Sequence, residues 1–327
     1  MTGKVVVLDS GYESYCYEKK IFADAGYRFE IFSGERHDRA GKMDMAKDAV
    51  GLLIRHTEID EEFLQAVPQV KAITRYGVGY DNLDLAAATR HNVKVANVQG
   101  YANHSVSDHV IALMYACTRG LLQGHNSLRQ NFGKPPVKQV MEFHDKKLGI
   151  IGLGRIGGTL CQKVLPLFER VLASDPYISD ERFASLGAEK TELEELLAES
   201  DVISIHCNLT DETRELINAD RMRLMQKKPI LINTARGSIV NLDNLYDALQ
   251  SSTIHSAGLD VFDEEPPLSN RDGLLEHPNV IATGHYAWYS TNATVALQER
   301  ASNNLLAMLQ GRIPEDCLNS VDLLESE

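Results

Sequence analysis

Leu148-Gly149-Ile150-Ile151-Gly152-Leu153-Gly154-Arg155-Ile156-Gly157 is the stretch on which the fold turns. An apolar, strand-forming run passes directly into G-x-G-x-x-G, and a helix-forming segment follows, which is the context that gives the pattern meaning. Gly152 permits the tight turn, Gly154 lets the backbone approach a pyrophosphate, and Gly157 lets helix and strand pack closely, with the helix N-terminus facing the phosphates. A glycine-rich turn in any β-α unit would share these letters, so a second signal is needed. Asp175 supplies it: it ends the next apolar run, 23 positions after Gly152, near the spacing of about 20 at which a carboxylate meets ribose hydroxyls. A 2′-phosphate would meet that negative charge, so the expected cofactor is NAD and not NADP.

Outward from this turn, short Val-, Ile- and Leu-rich runs alternate with longer amphipathic segments, the signature of β-α-β units and a parallel sheet. Residues 147–151, 171–174, 202–205, 230–233, 256–259 and 280–282 give six strands, enough for a doubly wound dinucleotide-binding (Rossmann) sheet. Upstream, 4–8, 51–54, 70–74 and 93–96 form a smaller set, with helical stretches at 61–66 and 83–91. Between the sets lie a helix at 105–119 and a polar, Gly- and Pro-bearing stretch at 123–138, expected as an extended loop. The amphipathic segment 293–309, stopped by Gly311 and Pro314, has no further strand to serve and is expected to return to the first domain. The class is α/β, in two domains joined by ordered chain, with ligands expected in a cleft between them.

Composition agrees and excludes much else. At a soft prior of about 150 residues per domain, 327 residues suit two domains. Hydrophobic residues at 43% and charged ones at 24% exclude disorder, collagen-like repeats and membrane bundles. A formal charge of −13 repels nucleic acid, and no basic patch offsets it. Cys16, Cys117, Cys161, Cys207 and Cys317 contain no C-x-x-C pair, so neither a disulfide framework nor a zinc ribbon is expected, and reduced thiols suit the cytoplasm. The apolar run 5–8 is too brief for a signal peptide, and the longest apolar stretch, 110–122, falls short of the roughly 20 residues that span a bilayer. His104 with His109, and His206 beside Cys207, lack a third ligand, so no metal is expected. No G-x-S-x-G elbow is present either.

Three motifs each follow an expected strand: Asn233-Thr234-Ala235-Arg236-Gly237, the run from Gly258 through Asp260 to Glu265-Pro266, and Thr283-Gly284-His285. Singly, the arginine, the carboxylate and the imidazole have bland readings as surface, solvated and turn residues. Beyond the carboxyl ends of strands in one open sheet, where ligands bind, Arg236, Glu265 and His285 form a working set.

Arg75-Tyr76-Gly77-Val78-Gly79-Tyr80-Asp81-Asn82 adds another motif upstream. With these motifs in this order, the chain resembles the D-isomer-specific 2-hydroxyacid dehydrogenases over nearly its whole length. The resemblance implies that Arg236 anchors the substrate, that His285 is the acid and base, and that Glu265 pairs with it. It adds the Val78 and Gly79 N–H groups as substrate-carboxylate ligands. Arg155, Ile156 and Asp175 would hold the phosphates and adenosine ribose. Asp260, Thr234 and Ala235 would lie on the nicotinamide side, with His206 and Thr213 also lining the cofactor. It further implies a flavodoxin-like substrate domain built from both chain ends, residues 1–100 and 291–327, with the cofactor domain, 101–290, inserted, and a homodimer. The apolar segment 105–122 suits an interface or intradomain burial equally.

Departures from the family pattern are local. Thr283-Gly284-His285 stands where members usually read T-P-H, and Asn97-Val98-Gln99 where they read N-V-P. Asp108-His109 replaces a Glu-His pair, and Cys207-Asn208-Leu209-Thr210 a leucine-proline pattern. Gly284 is expected to loosen the histidine loop. His285-Tyr286-Ala287-Trp288-Tyr289-Ser290 with Gly311-Arg312-Ile313-Pro314 resembles the C-terminal binding protein corepressors, and D-lactate dehydrogenases share a related aromatic loop. A second reading follows, an NAD(H)-sensing binding protein with little turnover.

The favoured reading is an enzyme interconverting a small 2-oxo acid and its D-2-hydroxy acid. Arg236 would grip the substrate carboxylate in a bidentate fork. His285, as imidazolium, would protonate the carbonyl oxygen, and Glu265 would favour that charged form. Trp288, three residues after His285, is expected to wall the side-chain pocket and favour pyruvate or D-lactate. Arg75, without a second cation, is expected to serve a phosphorylated substrate poorly.

Overall fold

The computed structural model describes residues 3–131, 140–265, 267 and 272–319. The chain divides into two compact units, Met1–Tyr101 with Ser290–Glu327, and Ala102–Tyr289.

In the first unit β1 (Lys4–Val7), β2 (Arg28–Ile31), β3 (Ala49–Ile54), β4 (Ala72–Arg75) and β5 (Lys94–Ala96) form one parallel sheet in the order β2-β1-β3-β4-β5. This is the flavodoxin-like order. The helix Thr291–Leu309 returns to β3, β4 and β5. Leu297, Ala301, Leu305 and Met308 are buried along it, a stripe at helical spacing that needs a sheet to cover. The following segment is tied down by Asp316, which accepts from Arg300 Nε and Nη2 and from Asn304 Nδ2 at 2.5–2.9 Å.

The second unit carries β6 (Lys147–Ile151), β7 (Arg170–Ser174), β8 (Glu189–Lys190), β9 (Val202–Ile205), β10 (Ile230–Asn233), β11 (Ser256–Leu259) and β12 (Val280–Ala282). All run parallel, in the order β12-β11-β10-β9-β6-β7-β8. β9, β10 and β11 are buried at every residue, as parallel strands covered on both faces must be, which is why they read as continuous apolar runs. The helix Asn103–Arg119 packs on β10, β11, β12 and the helix Arg155–Val164, burying Val106, Val110, Leu113, Met114 and Cys117.

Two strands escaped the sequence reading, and both are sheet edges. Arg28-Phe29-Glu30-Ile31 alternates charge with hydrophobe and is only partly buried, and Glu189-Lys190 is exposed. Neither shows the apolar run of a central strand. The second sheet therefore has seven strands, not six. The expected loop at 123–138 is also corrected. Gly120, left-handed at φ 57, ends one helix, and a second, Leu121–Asn131, starts at once. Polar composition there marks an exposed helix face, not an extended chain. Residues 132–138 lie outside the described ones. No helix among the described residues is long and apolar enough to cross a membrane, and no group of three His, Cys, Asp or Glu among them could hold a metal.

Candidate active site

The glycine turn is built of backbone contacts. Gly152 has φ +89, and a Cβ on it would lie 2.6 Å from the Cys207 nitrogen. On Gly157 a Cβ would lie 2.1 Å from the Gly152 carbonyl oxygen, whereas one on Gly154 would meet nothing within 4 Å. Two of the glycines thus permit close packing, and the third leaves the space a ligand would need. Gly154 is the N-cap of the helix Arg155–Val164 and offers no side chain to its first N–H groups, which leaves those donors for an anion. Asp175 sits beside the turn, its carboxylate accepting from the Leu153 N–H at 2.8 Å and the Tyr177 N–H at 3.0 Å. A carboxylate has about four acceptor sites, so ribose hydroxyls can join them. Arg155 is exposed and Ile156 half-buried in the first helical turn.

The other cofactor candidates take varied positions. Burial pushes the His206 imidazole down to about 4, so it is neutral near pH 7, and its Nε2 lies 2.8 Å from Ser204 Oγ. Thr213 holds its own turn, accepting from the Thr210 N–H and donating to the Asn208 carbonyl. The Thr234 hydroxyl is buried without a hydrogen-bond partner. Such an orphan costs about 1–3 kcal/mol unless something completes it. Together with the open face of Gly154 and the uncapped helix, it shows that these residues fit a dinucleotide.

Asn233, Leu259 and Ala282 stand in register across β10, β11 and β12, so the three loops after them leave the sheet side by side. Asn233, fully buried, shapes the first: Oδ1 accepts from the Ala235 N–H and Nδ2 donates to the Arg236 carbonyl. A Cβ on Gly237 would lie 1.9 Å from the Phe262 carbonyl carbon, so glycine alone lets this loop lie on the second. Glu265 is fixed by the Phe262 N–H at 3.2 Å and by His285 Nδ1 at 2.5 Å. Burial works to raise the Glu265 carboxyl, but the His285 hydrogen bond and charge, helped by the Phe262 N–H and Arg236, hold it below its ordinary value. Arg236, Glu265 and His285 therefore form one electrostatic group. Pro266 lies outside the described residues.

His285 is left-handed, φ 55, a conformation that costs a non-glycine residue about 1–3 kcal/mol and persists only where its surroundings over-determine it. Asp260, 1% exposed, does much of that. Its carbonyl accepts the His285 N–H at 2.7 Å, and its carboxylate accepts the Tyr286 N–H at 3.1 Å, the Ala287 N–H at 2.9 Å and the Thr283 hydroxyl at 2.5 Å. Trp288, half-buried, donates its indole N–H to the His285 carbonyl at 3.1 Å and stands edge-on to Tyr289.

In the first unit Arg75 ends β4, and Gly77, at φ +136, lets the chain turn against its guanidinium. Val78 is exposed and Gly79 half-buried, while the Gly77 and Val78 carbonyls accept from the Val98 N–H and Asn97 Nδ2. Arg75 is not the only cation in its neighbourhood, as the sequence suggested. Arg55 lies 5.9 Å over the Tyr12 ring. Burial together with Arg55, Arg36 and Arg75 pushes His56 down to about 4 against the pull of Asp9. The contributions of Asn233, Gly237, Thr283 and His109 were not foreseen. Asn233 acts through hydrogen bonds within its own loop, and the other three through a backbone approach or a hydrogen bond between segments far apart in sequence.

A seven-stranded parallel sheet, a glycine turn with an acidic partner, and an Arg–Glu–His group on adjacent strand ends define a dinucleotide-dependent oxidoreductase site. Residues 111–287 match the family described as D-isomer specific 2-hydroxyacid dehydrogenase, NAD binding domain. A glyoxylate reductase of Korarchaeum cryptofilum is 34% identical over 282 residues, 85% of each chain. Glyoxylate/hydroxypyruvate reductase B of Serratia proteamaculans is 35% identical over 313 residues, 92% of this chain and 96% of that one. The D-lactate dehydrogenase of Aquifex aeolicus, solved with NAD and lactic acid, superposes with a TM-score of 0.86 at 27% identity, covering 97% of this chain and 99% of that one. The chain belongs to the D-isomer specific 2-hydroxyacid dehydrogenases. It is an NAD-dependent enzyme of that family.

Proposed function

We propose that the chain interconverts a small 2-oxo acid, of glyoxylate to pyruvate size, and the corresponding D-2-hydroxy acid. The observation that carries this reading is the His285 Nδ1 to Glu265 Oε2 contact of 2.5 Å, within a group that also includes the Arg236 charge. The bound nicotinamide supplies the hydride in reduction and accepts it in oxidation. His285 donates from Nδ1 to Glu265, which leaves Nε2 to give a proton to the substrate oxygen in reduction and to take it back in oxidation. Glu265 keeps the imidazolium available. Arg236 grips the substrate carboxylate as a planar fork, a geometry lysine cannot match. Val78 and Gly79 offer further backbone donors, with Arg75 nearby in sequence.

Small substrates are favoured by Trp288, whose indole is braced on the His285 carbonyl and is proposed to wall the side-chain pocket. With Arg55 near Arg75, charge no longer argues against phosphorylated substrates, so size carries the preference. A homodimer is also proposed. Leu121, Leu122 and Leu128, all on the helix Leu121–Asn131, are 46–58% exposed, apolar side chains of the kind that association covers. NADH consumption across glyoxylate, pyruvate, longer apolar 2-oxo acids and a phosphorylated one tests the reading, with Trp288→Ala alongside. Turnover confined to the short acids, shifting to longer ones in the variant, supports it. Uniform loss in the variant makes Trp288 structural. NADH binding with no turnover on any acid would favour the NAD(H)-sensing alternative.

A further inference from the structure

Beneath the His285 loop lies a chain of polar contacts that the chemistry above does not use. His109 projects from the helix Asn103–Arg119, held on the sheet by Val106, Val110 and Leu113. Its Nε2 lies 3.0 Å from Thr283 Oγ1, and Thr283 Oγ1 lies 2.5 Å from Asp260 Oδ1. The hydroxyl has one proton to donate. The other hydrogen bonds to the Asp260 carboxylate come from the N–H groups of Tyr286 and Ala287, and His109 Nε2 itself stands 3.8 Å from Oδ1, so the carboxylate is the acceptor and the hydroxyl proton goes to it. The hydroxyl must then accept from His109, which fixes the proton on His109 Nε2. The ring also stands edge-on to Tyr286, centroids 5.3 Å apart.

The order of dependence follows. A helix fixed on the sheet holds His109, His109 orients the Thr283 hydroxyl, and the hydroxyl orients the Asp260 carboxylate. Asp260 then holds the two N–H groups that follow His285, keeping its backbone left-handed and its ring on Glu265. Without the donor at His109, the Thr283 hydroxyl can rotate, and the carboxylate loses the restraint on its orientation. The left-handed residue then relaxes toward an ordinary backbone region, carrying the imidazole off its partner.

We propose that His109 is a positioning residue for proton transfer, acting through Thr283 and Asp260 on the backbone of His285. The proposal rests on His285 being the acid and base, and two replacements separate a hydrogen-bond role from mere packing. His109→Phe keeps a ring against Tyr286 but no donor, and His109→Gln keeps an N–H donor but no ring. The expected result is a fall in kcat on the order of tenfold in His109→Phe, within the range that a small misplacement of reacting groups costs, with most of the activity restored in His109→Gln. Amide hydrogen exchange at Tyr286 and Ala287 should quicken in His109→Phe and not in His109→Gln. Parental kcat in His109→Phe, or His109→Gln as slow as His109→Phe, overturns the proposal. If His109→Phe does not fold, Thr283→Val removes the same link from its other end, and Thr283→Ser should restore it; equal activity in Thr283→Val and the parent also overturns the proposal. His285→Ala is run in parallel. Full activity there defeats the reading of His285 itself, whereas its loss alongside an unaffected His109→Phe defeats only this inference.

Discussion

Between Gly152 and Gly157 the site is made of missing side chains, whereas between Asp260 and Trp288 it is made of side chains that bind backbone. In the first region the geometry follows from what a Cβ would strike, the Gly152 carbonyl at 2.1 Å or the Cys207 nitrogen at 2.6 Å. In the second, a strained histidine is held by a carboxylate 25 positions upstream, and no residue of the loop fixes the conformation alone. A turn of the first kind is local and written in consecutive letters. One of the second kind exists only after the sheet has assembled.

The contrast predicts opposite failures. His285→Ala should lower kcat by about 10²–10⁴-fold, the usual cost of a lost acid–base group, while NADH binding measured by fluorescence stays near the parental value. Gly157→Ala should do the reverse. Its methyl must displace the Gly152 carbonyl, and overpacking of that kind costs about 1–3 kcal/mol, so Tm and NADH affinity should fall together. Parental NADH affinity in Gly157→Ala would break the comparison at its root.

Glu265→Gln probes the second region by pH. The carboxyl is held below its ordinary value, so the carboxylate and its attraction for imidazolium are present at neutral pH and are lost only as pH falls through that lowered value. Glu265→Gln has no charge to lose in that window, so the acid side of the reductive profile should change, and an unchanged profile would remove Glu265 from the proton path. Asp175→Ala sharpens the first region. Discrimination between NADH and NADPH should shrink by about tenfold, equivalent to about 1.4 kcal/mol of lost repulsion, and equal selectivity would show that Asp175 serves only the Leu153 and Tyr177 N–H groups.

The smallest effect falls on Gly284. It is not left-handed, and a Cβ there meets nothing within 4 Å, so the freedom of glycine serves the unfolded chain alone. Gly284→Ala should raise stability by about 0.4–1 kcal/mol with kcat unchanged. A loss of kcat would mean that the loop must move at this point.

The same contrast explains what the sequence disclosed. Central strands, the glycine turn and the returning helix were legible because burial on both faces, or on one stripe, writes itself into consecutive residues. The edge strands Arg28–Ile31 and Glu189–Lys190 were not, because half-exposed backbone pairing leaves no apolar run. Arg236, Glu265 and His285 could be placed at strand ends, since register across β10, β11 and β12 follows from the parallel sheet. The Thr283–His109 link could not, because nothing in either segment announces a partner 174 positions away. Nor did Arg75 reveal that Arg55, just past the end of the neighbouring strand β3, shares its surroundings.

The smaller unit has a consequence for how the protein is made. Its sheet is covered by Thr291–Leu309 and locked by Asp316, residues that leave the ribosome after the whole second unit, while β1 to β5 leave before it. The second unit is contiguous and can fold as it emerges. The strands β1 to β5 must instead keep apolar surface unburied until the whole second unit and the returning helix have been synthesised, and closing so long a loop is the slow kind of folding step. That interval, rather than the native state, is when this protein most needs a chaperone.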